Sequence, residues 1–172
     1  MTTQHPKNLK TSRGFLEKIV VNAGVGRLSN QPNFEEKIMP DILGDLATIT
    51  GQKPKICRAR KSIAGFKIRQ NQIVGLSITL RRKKMVDFFE RLTRIVLPRV
   101  RDFAGLDLKS IDKSGILNIG LKEQFVFPEI DTDKSTLTFS LGINIVPKNK
   151  NRKLAEETYR ELAVPLKKPK TK

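Results

Sequence analysis

Four places in this chain hold side chains whose type and spacing could do chemistry. IVVNAGVG, residues 19–26, is a strand-like run closed by Gly-x-Gly, the opening of a dinucleotide-binding turn. Ser29 stands where the third glycine would be, and no regular βαβ alternation follows. The spacing leaves Gly24 and Gly26 to allow a tight turn or a close backbone approach. Lys61-Ser62 resembles the end of a phosphate-binding loop but lacks the upstream glycines. PEIDTDK, residues 128–134, gathers Glu129, Asp131 and Asp133. A divalent cation needs more oxygen ligands in a defined geometry, so the stretch reads as a solvated turn. Cys57 has no histidine partner for nucleophilic catalysis, because the single His5 lies in the N-terminal segment. Its place in a strand pattern predicts burial. These residues predict no enzyme, no metal and no cofactor.

The chemistry present in quantity is positive charge. The sequence has 34 Lys and Arg against 17 Asp and Glu, a formal net charge of +17. Such an excess repels itself unless a polyanion neutralises it. Between Asp45 and Asp87 there is no acid, and eleven basic residues crowd that interval: Lys53, Lys55, Arg58, Arg60, Lys61, Lys67, Arg69, Arg81, Arg82, Lys83 and Lys84. A merely solvated face mixes signs, which costs less repulsion. Membrane binding would set bulky apolar residues opposite the charge on an amphipathic helix. Here the basic residues fall on strands and a Gly-containing loop, RARKSIAGFKIRQNQIVG, residues 58–75. Asn22, Gln52, Gln70, Asn71, Gln72 and Thr79 near strand ends could read sugars and base edges. Nucleic acid is the expected partner. Phe66 in the loop is either an apolar plug beneath it or a contact with a partner, and Gly65 should let the tip bend.

The elements that must position these groups follow from periodicity. The length suits one domain with a real core. FLEKIVVN, residues 15–22, predicts a strand, with AGVG as a turn after it. From Asn33, a candidate cap, the pattern becomes helical, with Ile38, Ile42, Leu46 and Ile49 on one side. Pro40 should start or kink this helix and Gly51 should end it. PKICRA (54–59) and VGLSITLR (74–81) predict strands flanking the basic loop. A second helix is expected from about Lys84 to Leu97, with Met85, Phe88, Phe89, Leu92, Ile95 and Val96 apolar and Pro98 at a bend or end. ILNIGL and TLTFSLGINI predict strands, and a last helix should run from about 151 to 163. The order predicts an α+β fold: a mainly antiparallel sheet with helices packed on one face. A basic arm (1–14), a single domain (15–164) and a basic tail (165–172) are the expected divisions. The N-terminus has no apolar core of a secretory signal, no run approaches a membrane span, and one cysteine suits a reducing cytoplasm.

Several stretches carry a resemblance. LEKIVVNAGVG, ITGQKPKICRARKSIAGFKIRQ, GLSITLR, FFERLTRIVLPRVRDFAGL and EQFVFPEIDTDK closely resemble the bacterial form of ribosomal protein five of the large subunit. The match covers about residues 15 to 147. It implies an antiparallel sheet backed by helices, in a protein of the central protuberance that binds 5S ribosomal RNA, beside 23S RNA and other proteins of that protuberance. The 5S-facing positions it implies are Lys18, Asn22, Gln52, Lys53, Thr79 and Arg81. It also implies that the loop carrying Arg60, Lys61, Ser62, Gly65, Phe66, Lys67 and Arg69 contacts transfer RNA in the peptidyl site. An intersubunit bridge to a head protein of the small subunit is implied as well. The chain departs from the pattern in places. Only 14 residues precede Phe15, a longer link RLSNQPNF precedes the first helix, and the sequence closes on the basic LAVPLKKPKTK. The Arg-Gly after the PEID segment is not retained.

Overall fold

The computed structural model describes residues 12–101, 103–131 and 137–167. His5, Asp133 and most of the two basic termini lie outside them. Five strands form an antiparallel sheet in the order β2-β3-β1-β5-β4: β1 Leu16–Gly24, β2 Lys55–Arg58, β3 Ile73–Leu80, β4 Leu117–Leu121 and β5 Leu141–Pro147. The main helices are α1 Met39–Thr50, α2 Arg82–Arg91 and α3 Arg152–Glu161. The α+β expectation holds.

The chain divides into two compact units. One takes the chain up to Val20, then Thr79–Ile119, then onward from Ile143. Within it, Phe88, Phe89, Leu92, Ile119, Ile143, Ile145 and Tyr159 are buried. The other takes Val21–Ile78 and Gly120–Gly142, with Val21, Phe34, Ile42, Leu46, Ile49, Leu76 and Phe127 buried. Strand periodicity explains the strand contributions. In β4 and β5 every second residue is buried, as alternation of side chains across a pleat requires. Each fully buried Leu, Ile or Phe contributes about 1.5–3 kcal/mol of transfer free energy.

Both prolines within helical stretches meet the same local solution. A π-helical turn, Phe34–Ile38, leads into α1, and the Met39 N–H donates to Phe34 O. A second, Leu92–Val96, follows α2, and the Leu97 N–H donates to Leu92 O. In each case the next residue is proline, Pro40 or Pro98. Proline has no N–H and its ring crowds the carbonyl four residues back. Widening the preceding turn by one residue pairs the N–H before the proline with the carbonyl five residues before it, Phe34 O or Leu92 O. Pro98 therefore does not end the helix, which continues through a final turn, Leu97–Arg99. Asn33 does not cap with its side chain; it adopts a left-handed conformation, and its carbonyl accepts from Lys37 N at 3.0 Å.

Other expectations are corrected. β1 runs through Gly24, so the AGVG turn begins later. Neither Gly24 nor Gly26 is in a close approach; the tight glycine beside this segment is Gly75, where an added Cβ would lie 3.2 Å from Ala23 O. α2 starts at Arg82, and Ile95 is exposed because the π turn rotates it off the buried side. TLTF is not strand in its described residues. The Gln124 side chain is fully buried, accepts from Phe139 N at 3.0 Å and donates to Leu137 O. It takes the backbone groups a sheet partner would have used. Cys57 is half-exposed because β2 is the edge strand.

α3 is fixed at both ends. The Asn151 side chain caps it by accepting from Lys153 N and Leu154 N. At its far end Val164 N donates to Tyr159 O and Ala163 N to Arg160 O, a Schellman closure with Ala163 in the left-handed position usually given to glycine. The Tyr159 hydroxyl lies 3.1 Å from Gly115 O and 3.2 Å from Ile145 O, and Phe15 meets its ring edge-on at 5.2 Å. Burial raises the ionisation of Tyr159 well above the ordinary phenol range; a backbone hydrogen bond at Leu117 opposes this and Asp112 adds to it. The folded state therefore holds a proton that the unfolded chain releases above about pH 10. That contribution is complete below pH 10 and is lost as pH rises above it. Tyr159→Phe should cost about 1–2 kcal/mol at pH 7, by removing the single hydroxyl proton that the Gly115 and Ile145 carbonyls share. It should also flatten the alkaline loss of stability. Urea unfolding of both proteins at pH 7 and pH 11 checks this; parallel losses would contradict it.

Candidate nucleic-acid interface

β2, the loop after it and β3 form one hairpin. Lys55 pairs with Ser77, Ile56 with Leu76 and Cys57 with Gly75, and the register slips between Cys57 and Arg58. A bulge there twists the end of the ladder where the basic loop departs. The loop is built by its own backbone. Ala59 N donates to Gln72 O at 2.8 Å and Asn71 N to Ala59 O at 2.9 Å. Further out, Ile63 and Ile68 exchange both backbone bonds, at 2.9 and 3.2 Å. The four residues between them close the tip, with Lys67 left-handed at φ 53. Gly65 was expected to bend the tip, but its φ is not positive and open space surrounds it. Lys67 and Asn71 take the left-handed positions instead. Gln70 N donates to Ser62 Oγ at 2.9 Å.

This frame displays charge. Arg60, Lys61, Lys67 and Arg69 are all exposed. Among the described residues, none of the four forms an ion pair with a carboxylate. Phe66 is 75% exposed and Ile63 is 48% exposed, which removes the apolar-plug reading of Phe66. Arg58, nearer the strands, differs. It approaches Glu35 at 4.0 Å and donates to Asn71 O at 3.0 Å. The acid-free interval is thus relieved in space at its base, by an acid from outside the interval, and left bare at its tip.

The other predicted residues fall in both units. In the first, Lys18 and Arg81 reach Glu17 at 3.7 and 3.9 Å, and Thr79 is exposed. In the second, Asn22 Oδ1 accepts from Ser77 Oγ at 3.0 Å across neighbouring strands. Gln52 sits in the turn after α1, where Gly51 is left-handed and Gln52 N donates to Thr50 Oγ1 at 3.3 Å. Lys53 beside it is exposed. Sequence reasoning missed Glu17, Glu35, Ser29 and Asn30. Each acts on a residue of the basic segment from more than 20 positions away, beyond the range of any periodic or motif signal.

No group of three or more metal-ligating side chains occurs among the described residues, and no described helix is long and apolar enough to cross a membrane. Two family models match. One is described as ribosomal protein L5 and covers residues 14–69; the other describes the C-terminus of the same ribosomal family and covers residues 73–166. The chain belongs to the ribosomal protein L5 family. It is 46% identical over 150 residues to the large ribosomal subunit protein uL5c of Gracilaria tenuistipitata var. liui, covering 87% of this chain and 82% of that one. It is 43% identical over 150 residues to uL5 of Halothermothrix orenii, with the same coverage. For uL5 of Nitrosococcus oceani the figures are 47% over 130 residues, 76% of this chain and 70% of that one. An L5-family protein is a structural, non-enzymatic constituent of the large ribosomal subunit. The exposed cations of the hairpin are thereby given a ribonucleoprotein setting.

Proposed function

We propose that this chain binds 5S ribosomal RNA in the central protuberance, through Lys18, Asn22, Gln52, Lys53, Thr79 and Arg81. Its 60–72 loop contacts transfer RNA in the peptidyl site. Further partners are 23S RNA, neighbouring proteins of the protuberance and a head protein of the small subunit at an intersubunit bridge. Residues 15–164 act as one RNA-binding domain between basic ends. The observation that supports this reading best is the loop tip: four exposed cations without carboxylates, on a frame set by backbone hydrogen bonds. Such a tip suits phosphates, and the frame lowers the ordering cost of meeting them.

The test is capture of RNA from a total pool by the purified chain, followed by sequencing. A dominant 5S product is expected; random ribosomal fragments would sink the proposal. Asn22→Ala, Gln52→Ala and Thr79→Ala should each weaken 5S binding by about 1–3 kcal/mol, the cost of leaving an RNA partner unpaired. Filter binding checks this. Wild-type affinity in all three would place the 5S contact elsewhere.

A further inference from the structure

An open recess of about 1090 Å³ lies beside the loop, lined by Ser29, Asn30 and residues between Ala64 and Gln72. We propose that it receives one unpaired nucleotide of RNA. The phosphate sits on Lys67 and Arg69, and the base edge meets Asn30 and Gln70. The proposal rests on the reading that this loop faces RNA, and adds the form of RNA it selects.

The walls are built by one side chain. Gln72 Nε2 donates to Ser29 Oγ and to Asn30 Oδ1, both at 2.8 Å, while its Oε1 accepts from Arg69 N at 2.8 Å. Ser29 Oγ in turn donates to Gly26 O at 2.9 Å. Both donor hydrogens and the acceptor of the Gln72 amide are thus engaged, which fixes its orientation. Gln72 is a strut between the loop and the 26–30 turn, so the recess is held open by specific bonds.

What remains unengaged defines the ligand. Among the described residues, Asn30 Nδ2 and the side-chain amide of Gln70 make no hydrogen bond, and Lys67 and Arg69 meet no carboxylate. The lining therefore offers two cations and amide groups that donate and accept, with no acid. The aliphatic side chains of Ala64 and Ile68 add apolar surface for a ring face. A phosphate alone would use only the cations. A base within a duplex has its pairing edge occupied, whereas an unpaired base presents that edge to amides. The volume exceeds what one nucleotide needs and leaves room for bridging water.

The test uses the full chain labelled with ¹⁵N. A single-stranded RNA pentamer, an RNA duplex of equal phosphate count, inorganic phosphate and an oligoglutamate of equal charge are titrated separately. The single strand should shift the side-chain amide resonances of Asn30 and Gln70. Gln70→Ala should weaken single-strand binding about fivefold and leave duplex binding within twofold. Gln72→Met should weaken single-strand binding at least tenfold, with the remaining backbone spectrum unchanged. Equal losses for both RNAs, or unmoved amide resonances, would overturn the proposal. So would the same amide shifts with inorganic phosphate or oligoglutamate, which would make the recess an unselective anion site. Capture of 5S RNA is read separately. If wild type fails to capture 5S, the 5S-binding reading falls, while the titration still decides the recess.

Discussion

Replacing Arg60, Lys61, Lys67 and Arg69 together with alanine should lower the loop's affinity for transfer RNA about a thousandfold, with 5S affinity within a factor of three. Each exposed cation contributes about 1 kcal/mol when it meets a phosphate, so four approach a thousandfold. The salt dependence should fall as well. Each phosphate contact carries a log–log slope of slightly under one, and the quadruple variant should lose about three such units. The loop should keep its shape, because its frame consists of backbone bonds at Ala59, Ile63, Ile68, Asn71 and Gln72. Lys67 is left-handed, but alanine there carries the same Cβ and adds no new strain. Retention of transfer RNA in the peptidyl site of reconstituted ribosomes, measured across salt, checks this. If the variant loses 5S binding and retains transfer RNA normally, the loop belongs to the 5S footprint.

Local physics made much of the fold legible. The helical spacing of Ile42, Leu46 and Ile49 and the stop at Gly51 are properties of a short window, and the structure has them. The charge of the hairpin was legible for the same reason. The rest depends on groups far apart in sequence. Glu35 reaches Arg58, Gln72 reaches Ser29, and Gln124 takes backbone groups near Phe139 that would otherwise extend a strand. Each is one polar side chain acting over a distance that no periodicity encodes. The tip shows another limit. Pairing of Ile63 with Ile68 places the left-handed residue at Lys67, so the bond register outranked the presence of a glycine at 65. For the site, the sequence names the cations, and the tertiary contacts decide which of them stay unneutralised.

Gly115→Ala should be among the most destabilising single changes in the described structure, at about 3 kcal/mol. Two costs combine. Gly115 has φ 78, and a left-handed conformation costs an L-residue about 1–2 kcal/mol. An added Cβ would then lie 2.7 Å from the Ala155 Cβ, 3.2 Å from Asn151 O and 3.4 Å from the Pro147 Cγ. Such overpacking costs about 1–3 kcal/mol. Relief is blocked on both sides. Asp112 ties the turn by accepting from Ser114 N at 2.8 Å and Ile116 N at 2.9 Å, and the Gly115 carbonyl faces the Tyr159 hydroxyl. Ala155 sits in the first turn of α3, whose cap at Asn151 fixes its start. Gly51 supplies the control, because it is left-handed at φ 63 with open space around its Cβ position. Gly51→Ala should cost only the conformational part, about 1 kcal/mol. In thermal unfolding the two variants should then differ by roughly 4–8 °C, at about 2–4 °C per kcal/mol for a chain of this size. Equal shifts would mean that α3 yields freely at Ala155 and that its capped start does not hold it in place.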